Sequence, residues 1–364
     1  MSASTKTLYL ILRITRKCNI SCKYCYAADD VGSTSEMSEE EFSRTVEWIA
    51  TYAKYAGYNK LKLLLHGGEV FTVSIDKLKT CLDSGKDICS AIGLDLEYLI
   101  QTNLIGLSSE HIKLIKDYFF RPVGTSLDYM SDFRCFKNGK DTFSKVLDNI
   151  HYLRKNGIKV GVITQITPKN YDKVEEIYSF FKNENLPIKI SRIFPSSQRD
   201  LSSCIVSDEQ YTTALMKLFD IWYNDPHPLY ISNFREYLRL FLTGKAQCCV
   251  HCGNCQPHNI SVAPGGNIYP CGEFYSETDT IGNIYLSTPE NVWDEKRAVL
   301  FSNRAAISDK CKNCRYYVYC NGGCMAERLT FGCAQSCVTI QTLFKHIEDI
   351  LTSSNIKIYE IAKK

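Results

Sequence analysis

Three cysteines on one short loop, Cys18-Asn-Ile-Ser-Cys22-Lys-Tyr24-Cys25, constrain this chain more than any other stretch. A closed structural zinc site takes four ligands, whereas three soft thiolates on one loop suit an iron-sulfur cluster with one iron left free. The blander readings are a zinc loop that borrows a distant fourth ligand, or a set of buried thiols. Just before the loop, Leu8, Leu10, Leu12 and Ile14 alternate with Arg13 on the opposite face, the pattern of a β-strand. An open iron at the end of a strand is a place where something else can bind.

Helix and strand patterns alternate from that loop onward. Ser38-x-x-Glu41 reads as a capping box, followed by Phe42, Val46, Ile49 and Ala53 at helical spacing. Strands are expected at 61–65, 96–101, 123–127, 158–166 and 188–193, separated by helices near 77–91, from 109, at 142–154 and around 174–181. Six strand-helix units imply an α/β fold with a parallel sheet and right-handed crossovers, which the pattern alone does not divide between a flat sheet and a barrel. In either arrangement ligands belong at the carboxyl ends of the strands, where the cysteine loop lies. A second capping box, Ser207-x-x-Gln210, opens a helix with Leu215, Leu218, Phe219 and Trp222; further helices are expected near 233–242 and 338–351. From about 246 the texture changes to dense cysteines, glycines and short turns, so a domain boundary is expected within 225–246.

Composition narrows the setting. Lys plus Arg number 43 against 40 Asp plus Glu, a net charge of +3, too balanced to call for nucleic acid or an anionic membrane as partner. Eighteen cysteines in 364 residues mean either a secreted disulfide scaffold or metal ligands in a reducing compartment. The N-terminal apolar run is short, is broken by Arg13 and has no small-residue cleavage site, and no stretch reaches the length of a membrane span. A cytoplasmic protein with thiolate ligands is therefore expected. Cys81, Cys89, Cys135 and Cys204 fall on barrel elements and read as small buried apolar residues.

The C-x3-C-x2-C spacing, with Tyr24 before the third cysteine, resembles the cluster loop of radical S-adenosylmethionine (radical SAM) enzymes. That resemblance implies a partial (β/α)6 TIM-like barrel and a free iron that chelates the cofactor's amino and carboxylate groups. His66-Gly67-Gly68-Glu69 at the end of the second strand is similar to the family's GGE motif, whose carboxylate meets the cofactor's ammonium; Val70 stands where Pro usually follows. Gln101-Thr102-Asn103 and Thr125-Ser126-Leu127-Asp128 resemble the family's polar strand ends, and Arg134, followed by Asn138-Gly139 and Thr142-Phe143, matches an Arg that faces the cofactor carboxylate. The implied cofactor-binding residues are thus Tyr24, Gly67, Gly68, Glu69, Thr102, Asn103, Ser126, Asp128 and Arg134. Each taken alone is also an ordinary strand-to-helix cap.

The second half, Cys255-x10-Gly266-x4-Cys271 followed by Cys311-x2-Cys314-x5-Cys320-x3-Cys324 and Cys337, resembles the seven-cysteine SPASM pattern. The resemblance implies two auxiliary 4Fe-4S clusters, three clusters in all. One would take Cys255, Cys271, Cys324 and Cys249, with Cys248 and Cys252 as rivals for the last place. The other would take Cys311, Cys314, Cys320 and Cys337, with Cys333 as an alternative. The blander reading of this half is a pair of zinc knuckles. Expected domains are a radical SAM barrel over 1–230, a SPASM domain with bridging helix over 231–345, and a C-terminal helix and tail over 346–364.

The resemblance favours a maturase of ribosomally made precursor peptides, forming a thioether or carbon-carbon crosslink through a 5′-deoxyadenosyl radical and fed by an external one-electron reductant. With the first strand near residue 7, the winged-helix leader-binding domain of many members is expected to be missing, so a separate leader-recognition protein or the barrel mouth would grip the substrate. One alternative is the anaerobic sulfatase-maturating enzyme, which makes formylglycine. That group carries an Asp directly after the cysteine of G-x4-C, whereas this chain reads Cys271-Gly272-Glu273. Glu273 is the candidate catalytic base, or a solvated turn carboxylate. A non-catalytic zinc or cluster scaffold is the other alternative.

Overall fold

A computed structural model describes residues 6–25, 33–193, 200–253, 255, 258–274, 276–331 and 337–358. The strands are β1 (Thr7–Thr15), β2 (Lys60–Gly67), β3 (Asp95–Ile100), β4 (Val123–Ser126), β5 (Val160–Ile166), β6 (Ile188–Arg192), β7 (Asn259–Val262), β8 (Asn267–Tyr269) and β9 (Gly282–Asn283). The helices are α1 (Glu39–Tyr55), α2 (Ile75–Ala91), α3 (Ser109–Tyr118), α4 (Phe143–Lys155), α5 (Val174–Asn183), α6 (Asp208–Tyr223), α7 (Ser232–Thr243), α8 (Lys296–Arg304), α9 (Asp309–Lys312), α10 (Tyr317–Cys320), α11 (Met325–Phe331) and α12 (Cys337–Ser353). Strand and helix alternate from β1 to β6, the α/β order of the expected partial barrel, followed by the cysteine-rich segment.

Two compact units divide the chain, one of residues 1–126, 134–160 and 256–301, the other of 127–133, 161–255 and 302–364. Their segments interleave, so the units cut across the linear division expected near 230. In the first unit the sheet runs β3-β2-β1-β7-β8-β9, with β1 parallel to both β2 and β7 and β8 and β9 antiparallel. The addition of β7 to the edge of β1 is a feature that periodicity does not announce, because a four-residue strand carries no pattern of its own.

Side-chain alternation explains how the sheet is used. Leu8, Leu10, Leu12 and Ile14 are fully buried, as are Phe42, Val46, Ile49 and Ala53 of α1, giving the apolar layer between sheet and helices. On the other face of the strands, Lys60 pairs with Asp95 and Glu97, and Arg121 with Glu97. These charges occupy the amino ends of β2 and β3 and leave the carboxyl ends for chemistry. Ser38 caps α1 by accepting from the Glu41 N–H at 3.0 Å. The reciprocal half of that expected box is not made, since Glu41 Oε1 instead accepts from Gly265 N at 2.6 Å.

The second unit holds β5 and β6, paired in parallel, and the helices α6, α7 and α12. Ser207 and Gln210 form the complete capping box expected for α6. Phe344 of α12 sits among the rings of Tyr237, Phe241, Tyr316 and Tyr319, an aromatic core for the C-terminal half. Among the described residues no helix is long and apolar enough to cross a membrane.

Candidate radical site and auxiliary cysteines

The loop of Cys18, Cys22 and Cys25 is braced on two sides within the first unit. Ser21 N donates to Cys135 O at 2.7 Å and the Cys135 thiol donates to Ser21 O at 2.8 Å, which ties the loop to the segment carrying Arg134. On the other side Asn19 Nδ2 donates to Ile105 O at 2.7 Å, and Asn103 Nδ2 donates to Asn19 Oδ1 at 2.8 Å and reaches Cys18 Sγ at 3.9 Å. Asn19 was not singled out in the sequence; its place between two cysteines is the only signal it gives. Burial pushes the Cys18 thiol above its ordinary pKa.

Gly67 and Gly68 let two stretches of backbone meet. A Cβ on Gly67, where φ is +145°, would lie 2.3 Å from Thr15 O, and one on Gly68 would lie 2.1 Å from Lys17 O. The glycines let the end of β2 lie directly against the backbone entering the cysteine loop, with Gly68 N donating to Thr15 O at 2.8 Å and Glu69 N to Lys17 O at 2.7 Å. This close approach of two backbones needs residues without a Cβ.

Glu69 is 2% exposed. Its Oε1 accepts from Phe71 N at 3.0 Å and from Thr102 Oγ1 at 2.5 Å, while Oε2 accepts from Asn103 N at 2.6 Å. Burial raises its pKa, against the pull of these three bonds. Two carboxylate oxygens offer about four acceptor sites, so three protein donors leave room for one more. Arg134, also buried, donates from Nη1 to Tyr24 OH at 3.4 Å, and its charge is felt at both Glu69 and Cys18. Tyr24, Glu69, Thr102, Asn103 and Arg134 are thus brought together around the cysteine loop. Ser126 ends β4 in the same unit. Asp128 belongs to the other unit, buried, with Oδ1 accepting from Gln165 N at 2.9 Å.

The cysteine-rich half shows two groupings in the second unit. Cys320 lies within electrostatic reach of Cys314, Cys337 and Cys311, and Gln341 Nε2 donates to Cys337 Sγ at 3.3 Å. Cys255 lies within reach of Cys249, Cys252 and the Arg328 charge, and burial pushes its thiol up to about 11. Cys248 sits by Glu236, whose Oε1 accepts from the N–H groups of Gln247 and Cys248 at 2.7 and 2.9 Å. Cys324 O accepts from Arg328 N. Cys271 belongs to the first unit, and Cys333 lies outside the described residues. Cys81, Cys89, Cys135 and Cys204 are buried. Among the described residues no three His, Cys, Asp or Glu converge as they would on a single metal ion. Glu273 is exposed on the turn after Cys271, with its N–H 3.5 Å from Cys271 Sγ.

The donor set fits the expected groups: thiolates for iron and sulfide, and a carboxylate and a guanidinium for the two ends of an amino acid. Residues 12–181 match the radical SAM superfamily and residues 252–315 match an iron-sulfur cluster-binding domain, SPASM. The chain belongs to the radical SAM superfamily. It is a radical SAM enzyme with a C-terminal SPASM domain, and it uses S-adenosylmethionine and iron-sulfur clusters. This sets aside the non-catalytic scaffold.

The radical SAM enzyme is 25% identical over 339 residues to a cysteine-type anaerobic sulfatase-maturating enzyme of Clostridium novyi, covering 89% of each chain. It is also 25% identical to a serine-type anaerobic sulfatase-maturating enzyme of Bacteroides thetaiotaomicron, covering 89% of this chain and 84% of the other. The fold matches native anSMEcpe with bound AdoMet at a TM-score of 0.82 and 22% identity, over 95% of this chain and 98% of that one. Streptococcus suis SuiB bound to precursor peptide SuiA matches at 0.65 and 14%, over 91% and 74%. These findings overturn the crosslinking-maturase reading. Both of these relatives, matched over 89% of this chain, are sulfatase-maturating enzymes, one of each residue type, so the reading held in reserve is the better supported one.

Proposed function

We propose that this enzyme oxidises a cysteine or serine in a protein segment to formylglycine, as an anaerobic sulfatase-maturating enzyme. The observation that carries this reading is similarity over 84 to 89% of the length of both a cysteine-type and a serine-type enzyme. A peptide substrate is supported by the likeness to anSMEcpe with bound AdoMet and Cp18Cys peptide. Leader recognition by a separate protein belongs to the crosslinking reading and falls with it.

Cys18, Cys22 and Cys25 would hold a 4Fe-4S cluster with one open iron. The loaded site supplies a 5′-deoxyadenosyl radical, from S-adenosylmethionine and one electron from an external reductant. Glu69 would take the cofactor's ammonium in its remaining acceptor site and Arg134 the carboxylate, with Thr102 and Asn103 holding Glu69 in place and Tyr24 holding Arg134. Gly67 and Gly68 would keep the Glu69 strand against the cysteine loop. Ser126 and Asp128 are assigned to the cofactor by family position alone. The two auxiliary clusters would take Cys249, Cys255, Cys271 and Cys324, and Cys311, Cys314, Cys320 and Cys337. The reach of Cys255 to Cys249 and Cys252 favours one of these two for the contested place.

The test is anaerobic reconstitution, then incubation with S-adenosylmethionine, a strong reductant and peptides spanning the cysteine or serine that is oxidised in sulfatases. An aldehyde trapped by a hydrazine, formed together with 5′-deoxyadenosine, is the expected result. Crosslinked product without aldehyde overturns the proposal.

A further inference from the structure

The turn after β3 joins the carboxylate of the radical site to its cysteine loop. Asn103 donates its backbone N–H to Glu69 Oε2 at 2.6 Å, while its side chain reaches the loop. Its Oδ1 accepts from Ile105 N at 2.7 Å, Ile105 O accepts from Asn19 Nδ2 at 2.7 Å, and Asn19 Oδ1 accepts from Asn103 Nδ2 at 2.8 Å. These three bonds close a ring between turn and loop. The ring fixes the orientation of both amides, because Ile105 N–H needs an oxygen and Ile105 O needs a donor. The end of Asn103 that faces Cys18 is therefore the nitrogen, with Nδ2 at 3.9 Å from Sγ.

The same turn is held against its local preference. Leu104 has a φ of +64° and is fully buried, in a left-handed conformation that is costly for a residue with a Cβ. Its N–H donates to Thr102 Oγ1 at 3.0 Å and its carbonyl accepts from Asn149 Nδ2 of α4 at 2.7 Å. Both partners are buried. Such a conformation persists only where the surroundings over-determine it, and here they keep the Asn103 amide in one place.

Reduction of an iron-sulfur cluster adds a negative charge that its thiolate sulfurs share. N–H groups aimed at those sulfurs favour the reduced form and raise the potential. The Cys18 sulfur is faced by the backbone N–H groups of Ile20 and Asn19, and the charges of Glu69 and Arg134 act on it with opposite signs. To these Asn103 adds a side-chain amide. We infer that Asn103 is a positioning residue that sets the reduction potential of the cluster held by Cys18, Cys22 and Cys25, through the approach of its Nδ2–H to Cys18 Sγ. The inference rests on the assignment of that cluster and is independent of which side chain the enzyme oxidises.

The test is an anaerobic potentiometric titration of the reconstituted enzyme, followed by electron paramagnetic resonance with and without S-adenosylmethionine. The signal that changes when the cofactor is added belongs to the cluster with the open iron. The variant with Cys18, Cys22 and Cys25 replaced by Ala supplies the auxiliary background. In Asn103→Ala the reduction equilibrium of the responsive cluster should fall about tenfold, the low end for a hydrogen bond to a charged group, which is about 59 mV for one electron. Asn103→Ser should show the same fall, although its hydroxyl can still accept from Ile105 N–H and keep the turn. Both variants retain the backbone N–H on Glu69, so calorimetric affinity of the oxidised enzyme for S-adenosylmethionine should stay within about threefold of wild type.

A change below twofold in the reduction equilibrium of both variants overturns the inference. So does an equal fall in Asn19→Ala, which breaks the ring and leaves the Asn103 N–H on the sulfur, because the ring would then act only as a brace. Loss of affinity beyond tenfold with an unmoved potential has the same meaning. Survival of the cofactor-responsive signal in the triple alanine variant overturns the inference together with the cluster assignment.

Discussion

Arg328 offers the sharpest test of how the cysteine-rich half is held together. It is 4% exposed, and its guanidinium donates to four carbonyls from three segments: Nε to Ala305 O at 2.9 Å, Nη1 to Gly322 O at 3.0 Å and Gly323 O at 2.6 Å, and Nη2 to Gly253 O at 2.8 Å. Replacing it by Met keeps the apolar stem and strands four buried acceptors. At the low end of about 1 kcal/mol for each unsatisfied group, the loss is about 4 kcal/mol, similar to the 3–5 kcal/mol roughly expected when one partner of a buried charged contact is removed. Against a total stability of about 5–15 kcal/mol, that loss should open the region locally. The assay is amide hydrogen exchange on the reconstituted protein, reading peptides over 317–328. Four kcal/mol corresponds to about three decades in the opening equilibrium. Arg328→Lys should recover only part, because a single ammonium has three donors and no planar fork. An increase in exchange below tenfold in Arg328→Met would refute the reasoning.

Other outcomes follow from the first unit. Replacing Cys18, Cys22 and Cys25 together by Ala should abolish 5′-deoxyadenosine formation and remove about four of about twelve irons, while auxiliary iron remains; unchanged cleavage sinks the assignment of the loop. Glu69→Gln should weaken S-adenosylmethionine about 10- to 100-fold in anaerobic calorimetry, since one charge-assisted bond is lost and an amide N–H2 is turned on the Asn103 N–H. An affinity within threefold of wild type argues that the ammonium binds elsewhere. His66 is drawn from 6.5 down to about 4 by burial and by Arg13. The unfolded chain therefore binds a proton that the native state refuses between those values, so stability falls as pH drops through that window and is level above it. His66→Gln should flatten this slope in a fluorescence-monitored denaturant series, and an unaltered slope assigns the pH dependence to other groups.

Much of the fold was legible because its signals are local. Periodicity located α1, α4, α5 and the strands β1 to β6, and Ser207-x-x-Gln210 marked the start of α6 as built. The misses have physical reasons. Glu41 left its capping box for Gly265, a residue more than two hundred positions away, a competition no window along the chain can register. Ser108 and His111 form a capping box in which imidazole takes the role usually held by Glu or Gln. The close contact of Gly67 and Gly68 with Thr15 and Lys17 joins segments some fifty residues apart and carries no local signal. The crosslinking reading failed because cofactor motifs record how a radical is made and not which substrate meets it.

By itself the sequence determined the chemistry available here: three thiolates with an open place, a carboxylate after two glycines, and a second set of cysteines at fixed spacings. Those properties reside in residue types and short separations, which survive without knowledge of the fold. Tertiary structure decided what the groups face. It brought Thr102, Asn103 and Phe71 onto Glu69, set Arg134 against Tyr24, placed Arg13 on Gly272 O and fixed the His66 proton on Nε2. Burial, hydrogen-bond partner and tautomer depend on atoms distant in the chain, and only a folded strand register brings them within three ångströms or so of one another.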